Sequence, residues 1–142
     1  MKTTARNQLA GIITAVEAGP ISAQVTIALK AGGEIVATLT AGAAERLKLK
    51  KGREALALIK ASAIVLATDF AGWQLSARNQ LAGTVSRIEK GAVSSLVVLT
   101  LPGGAAVTAS VTNEGVQALG LKVGTPVTAV FKAYSVMVAV QV

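Results

Sequence analysis

Between Ile21 and Leu29 the apolar residues Ile21, Ala23, Val25, Ile27 and Leu29 alternate with Ser22, Gln24, Thr26 and Ala28. A period of two predicts a strand with one face in a core. A β-branched run from Leu9 to Val16 precedes it, with Gly11 read as a bulge, and Ala18-Gly19-Pro20 forms the turn between them. After Lys30-Ala31-Gly32-Gly33, the residues Ile35, Ala37 and Leu39 predict a third strand. The rhythm then breaks. Thr40 has the chemistry of a helix N-cap and is followed by an alanine-rich stretch to Leu47, which predicts a helix of about two turns. Strands over Ala55–Ile59 and Ala63–Ala67 follow, with Lys60-Ala61-Ser62 between them.

The same order then repeats without a gap. Thr4-Ala5-Arg6-Asn7-Gln8-Leu9-Ala10-Gly11 returns as Ser76-Ala77-Arg78-Asn79-Gln80-Leu81-Ala82-Gly83, 72 positions on. Strands are expected over Leu81–Ile88, Val93–Leu101, Val107–Val111, Val127–Phe131 and Val136–Val140, with a helix opening at Thr112-Asn113-Glu114. An internal repeat overrides the single-domain expectation from length. We read residues 2–68 and 74–140 as two domains and the short segment 69–73 as a tight joint. Five strands with a helix between the third and fourth is the order of an OB-type barrel. The expected fold is therefore all-β: two tandem OB-like five-stranded barrels, each with one short helix.

Composition changes this picture in two ways. Hydrophobic residues make up 52% of the chain and mean hydropathy is +0.60, more apolar material than two small cores need. A unit of roughly 65 to 70 residues buries only about 60% of its unfolded surface. The surplus predicts a large interface between copies, between chains, or both. The net charge of +7 points to an anionic partner. Cysteine and histidine are absent, which excludes disulfides, thiolate nucleophiles, Cys/His zinc sites and histidine acid–base chemistry. Absence of cysteine fits a reducing cytoplasm, and the start Met-Lys-Thr-Thr-Ala-Arg-Asn has no apolar signal core, so no export is expected. The uncharged stretch Ala92–Asn113 is long enough to suggest a membrane span, but Pro102-Gly103-Gly104 divides it and predicts a hairpin.

Polar agreement between the copies is sparse: Arg6/Arg78, Asn7/Asn79, Gln8/Gln80, Glu17/Glu89, Ser22/Ser94, Thr40/Thr112, Lys50/Lys122 and Lys60/Lys132, with Thr4/Ser76 matching in kind. Guanidinium, ammonium, hydroxyl and main-chain N–H groups suit a tetrahedral dianion. A site made only of donors favours a fully ionised oxyanion over hydrogen phosphate, whose own proton finds no acceptor. Each residue also has a plainer reading. Thr40 and Thr112 serve as helix caps, Lys60 and Lys132 as snorkelling ends of apolar strands, and the basic run Lys48, Lys50, Lys51 and Arg53 as a solvated loop.

The segment Ser76–Gly83 and its copy, the Gly-Gly turn after an apolar strand, and the Lys-Ala segment leading into an apolar run resemble the molbindin (Mop domain) family, over nearly all of both copies. The tandem arrangement resembles a cytoplasmic di-Mop protein. The resemblance implies an OB-like fold that binds molybdate, or tungstate as a close mimic, with no catalysis, and assembly as a homotrimer. It implies sites between domains, the Ser-Ala-Arg-Asn segment coming from one and the Lys-Ala segment from its neighbour. Carried over by position, the molybdate donors are Thr4, Ala5, Arg6, Asn7, Thr40, Lys60, Ala61 and Ser62 in the first copy. In the second copy they are Ser76, Ala77, Arg78, Asn79, Thr112, Lys132 and Ala133, and Tyr134 stands where the first copy has Ser62. A second class of site is implied near Gly19, Ile21 and Ser22 and near Gly91, Val93 and Ser94.

Two other functions compete. A nucleic-acid-binding OB pair would suit fold and charge, but single-strand binders stack bases on aromatic side chains, and aromatics are 3% here. An enzyme would need a nucleophile–base pair, a metal cluster or a phosphate loop, and none is visible.

Overall fold

The computed structural model describes residues 1–142 throughout. The first repeat forms β1 (Asn7–Ala18), β2 (Ser22–Leu29), β3 (Glu34–Thr40), α1 (Ala41–Arg46), β4 (Glu54–Ile59), a 3-10 turn (Ala61–Ala63) and β5 (Val65–Ala67). The second forms β6 (Asn79–Lys90), β7 (Ser94–Thr100), β8 (Ala106–Thr112), α2 (Asn113–Ala118), β9 (Pro126–Phe131), a 3-10 turn (Ala133–Ser135) and β10 (Val136–Ala139). Each expected strand and helix is present. The helices start where a threonine oxygen accepts a backbone N–H three residues on: Ala43 N–H to Thr40 Oγ1, and Gly115 N–H to Thr112 Oγ1, both 3.1 Å.

The strands form two five-stranded antiparallel sheets, with orders β10-β4-β1-β2-β3 and β5-β9-β6-β7-β8. The fifth strand of each sheet therefore comes from the other repeat. Repeat and folded unit differ by one strand, a crossing that the repeat pattern does not disclose. After β4 the chain leaves its own sheet, its 3-10 turn packs on β8, and β5 pairs with β9. The second repeat mirrors this: the turn after β9 packs on β3, and β10 pairs with β4. Because β10 also packs against β3, and β5 against β8, each sheet curls until its edges meet.

One continuous core runs through both sheets, from Ile13, Val25, Ile27 and Ile35 to Val85, Val97, Leu99 and Val107. In β2 the inward residues Ala23, Val25, Ile27 and Leu29 are those that the alternation assigned, whereas Ile21, read on the same face, precedes the strand and is exposed. The expected bulge at Gly11 is not there. The ladder slips at Thr14, between Ile13 and Ala15, and at Ser86 in the second repeat. Gly11 instead serves close approach, since a Cβ there would lie 2.3 Å from the carbonyl oxygen of Ala28. The two Gly-Gly hairpin turns also touch, so that a Cβ on Gly103 would meet the carbonyl of Ala31.

Arg53 departs from the solvated-loop reading. Its guanidinium donates to the carbonyls of Leu47 and Lys48 at the end of α1 and to that of Gln141 in the C-terminal segment. These oxygens include those left free at a helix end, which a cation satisfies well.

The exchange makes one repeat incomplete by itself. A chain ending at Gly72 is expected to yield no folded monomer: it stays largely unfolded by circular dichroism or pairs by reciprocal strand exchange. A compact monomer by mass in solution would contradict this.

Candidate functional site

Antiparallel register places the two basic segments of a repeat side by side. Asn7 pairs with Ile59 and Asn79 with Phe131, so Arg6 and Lys60 stand one residue beyond one paired end, and Arg78 and Lys132 one residue beyond the other. Lys60 and Lys132 are also the points where the chain crosses from one sheet to the other. Within the chain, therefore, both segments at a seam come from the same repeat, and the opposite repeat supplies the third strand beneath them.

The asparagines fix this seam. Asn7 is 2% exposed; its Nδ2 donates to the carbonyls of Ile59 (3.1 Å) and Thr108 (2.8 Å), and its Oδ1 accepts from Thr108 N–H (2.7 Å). Asn79, equally buried, exchanges two 2.8 Å bonds with the N–H and carbonyl of Val36. Val36 and Thr108 lie on β3 and β8, the last strands in their sheets' orders. Each amide thus acts as one peptide of a missing neighbour strand and satisfies an open edge. These side chains are taken up by bonds between repeats, so neither amide is held out toward an anion.

Other carried-over residues lie outside the core. Thr4, Arg6, Lys60, Ser62, Ser76, Arg78 and Lys132 are exposed, Ala5 and Ala77 are half-buried, and Ala61 and Ala133 are buried under their turns. The turns close through Ala63 N–H to Lys60 O and Ser135 N–H to Lys132 O, both 3.0 Å. The N–H groups at the start of each turn, on Ala61 and Ser62 and on Ala133 and Tyr134, have no partner inside it. Gln8 and Gln80 were not among the expected site residues, yet they shape the segment: their amides reach back to the carbonyls of Ala5 (3.1 Å) and Ala77 (2.9 Å). Their repetition at matching positions was the available signal.

Thr40 and Thr112 belong to the opposite seams. Ser22 pairs with Thr40 and Gln24 with Thr38, and the Gln24 side chain meets Arg78: Arg78 Nη1 donates to Gln24 Oε1 at 2.8 Å. The outer face of β2 and β3 in the first repeat therefore lies beside the arginine of the second. The second group of expected residues sits at the β1–β2 and β6–β7 turns. Gly19 N–H donates to Ser22 O, Gly91 N–H to Ser94 O, and Ile21 O and Val93 O accept from the first residues of α1 and α2. In the second repeat alone, Ser95 Oγ donates to Asn113 Oδ1 (2.6 Å) and Asn113 Nδ2 to Gly91 O, which braces that turn.

The electrostatics are one-sided. The only ion pairs are Lys30–Glu54 and Arg87–Glu89, so Arg6, Lys60, Arg78 and Lys132 have no carboxylate partner. No group of histidine, cysteine, aspartate and glutamate is placed to hold a cation. The seams are open shelves in the single chain. A groove of about 570 Å³ lies elsewhere, between Lys30, Arg53, Glu54 and Gln141.

A family model described as the TOBE domain matches the chain twice, over residues 3–66 and 75–138. The chain is a tandem member of the TOBE-domain family. This TOBE pair is 66% identical over 141 residues to the molybdenum transport protein ModE of Herbaspirillum seropedicae, covering 99% of this chain and 52% of that protein. It is 38% identical over 139 residues to the molybdenum-pterin-binding protein MopA of Rhodobacter capsulatus, covering 98% of this chain and 52% of MopA. The TOBE pair spans about half the length of these relatives. Among solved structures, the cytoplasmic molybdate-binding protein ModG, in a form with molybdate bound, matches with a TM-score of 0.96 at 44% identity, over 99% of this chain and 100% of ModG. The molbindin resemblance read from the two Arg-Asn-Gln segments stands. No helix of the TOBE pair is long and apolar enough to cross a membrane.

Removing an edge clamp has a defined cost. Asn79→Ala leaves the N–H and carbonyl of Val36 without their partners and is expected to destabilise the fold by about 2–4 kcal/mol. Gln80→Ala, on an exposed bond, is expected to cost less than about 1 kcal/mol. Urea unfolding followed by circular dichroism measures both.

Proposed function

We propose that this chain binds molybdate reversibly, with tungstate as a close mimic, at the seams where the repeats exchange strands. It holds the anion without chemistry, as a cytoplasmic store or buffer. The observation that carries this reading is the placement of Arg6 with Lys60, and of Arg78 with Lys132, at crossover points with no carboxylate near enough to neutralise them. A tetrahedral dianion needs cations and many hydrogen bonds together to replace its water. The guanidinium and ammonium groups supply charge, and Thr4, Ser76, Thr40, Thr112 and Ser62 supply hydroxyls. The N–H groups that open the 3-10 turns complete the donor set. The match to ModG across the whole of both chains supports the same reading.

The open shelves also favour assembly. Val65, Tyr134 and Met137 follow the two lysines in sequence and are more than half exposed. Apolar side chains beside unpaired cations suit a surface that another chain covers, enclosing the anion in a less polar setting. We assign a homotrimer, with sites shared between chains, as the state that closes them.

Isothermal titration of dialysed protein with molybdate is expected to show several anions bound per trimer, with no heat from sulfate or phosphate at equal concentration. Absence of heat with molybdate would reject the proposal. Arg78→Ala and Lys132→Ala are each expected to weaken one class of sites by about tenfold or more, the loss of a charged hydrogen bond. Unchanged affinity and stoichiometry in both variants would remove these residues from the site.

A further inference from the structure

The two seams share a backbone plan but not a donor set. At one, the turn after Lys60 carries Ser62 and packs on β8 of the second repeat. At the other, the turn after Lys132 carries Tyr134 in place of that serine and packs on β3 of the first repeat. The strands beneath differ in the opposite sense. Next to β3, β2 carries Gln24, whose Oε1 accepts from Arg78 Nη1 at 2.8 Å. Next to β8, β7 carries Leu96 at the equivalent position, and Arg6 makes no side-chain hydrogen bond. One seam thus has a serine hydroxyl and a leucine, the other a tyrosine and a glutamine.

The geometry points to Gln24 as a positioning and donor residue for the oxyanion at the Arg78 seam, offsetting the hydroxyl that Tyr134 displaces. This rests on the anion-binding reading above and extends it to a residue outside the carried-over set. An arginine only donates, so the glutamine atom facing Arg78 is the carbonyl oxygen. Its amide nitrogen then keeps two hydrogens for another acceptor. Asn79, one residue along, anchors the Arg78 backbone over β3 through its two bonds to Val36. Gln24 adds a second point of attachment at the guanidinium itself, which leaves fewer rotamers to restrict when the anion arrives. Leu96 does neither, and there the exposed Ser62 remains as the neutral donor.

Titration of the full chain with molybdate tests this. Gln24→Leu is expected to weaken one class of sites by about tenfold and leave the other unchanged, with the thermal midpoint within about 2 °C of the parent. Ser62→Ala is expected to weaken the other class to a similar degree, and adding Leu96→Gln to restore it to within about threefold. Two results would overturn the inference: both classes unchanged in Gln24→Leu, or both weakened together with a lowered midpoint, which would make Gln24 a structural residue. Failure of the underlying reading looks different, because the unsubstituted protein would then take up no molybdate, and the inference would fall with it.

Discussion

The structure depends on closing strand edges with side chains from the opposite repeat. β3 and β8 end their sheets' orders, with main-chain groups that β2 and β7 do not use. Asn79 and Asn7 satisfy those groups at Val36 and Thr108 from within a buried environment. An asparagine amide has the donor and acceptor of a peptide on a short stem, so it fits an edge that a whole strand does not occupy. The fixed asparagine in turn fixes the arginine before it, and the register with β4 or β9 brings a lysine alongside. Structural and chemical roles are therefore adjacent in sequence and divided between residues: asparagine builds the seam, and arginine and lysine give it its charge.

Strand exchange makes this arrangement possible. The chain crosses between sheets at Lys60 and at Lys132, and a crossing chain runs as a short 3-10 turn over the neighbour's third strand. Such a turn leaves its opening N–H groups without internal partners. Donors therefore accumulate where the repeats interlock. The net charge of +7 is spread over the chain, but the cations lacking carboxylates at the two seams are the ones that topology gathers.

Most of the fold is legible in the residues. Period-two alternation located β2 and β3, threonine caps located both helices, and the 72-residue repeat carried the strand assignments over to β7 and β8. Alternation reports which face of a strand is buried, not which sheet receives it. Val65–Ala67 and Val136–Ala139 read the same whether they complete their own sheet or the other one. The candidate site was legible in residue type and less so in role. Asn7 and Asn79 have the chemistry of donors, and only their burial and bonds to β8 and β3 show where those donors go. Gln24 passed as one more outward residue of an alternating strand until the fold placed it against an arginine 54 positions away. Gly11 signalled a constraint correctly, but the constraint is contact with Ala28, and the bulge lies at Thr14.

The order of strands also bears on synthesis at the ribosome. The first sheet holds β1 to β4, all made by Ile59, yet its remaining strand, Val136–Ala139, follows only after every strand of the second sheet. Translation proceeds from the N-terminus at about 5–20 residues per second. The nascent chain thus carries an unfinished sheet for several seconds, with the flank of β4 exposed until Val136–Ala139 leaves the exit tunnel. The sheet that is begun first is the one closed last.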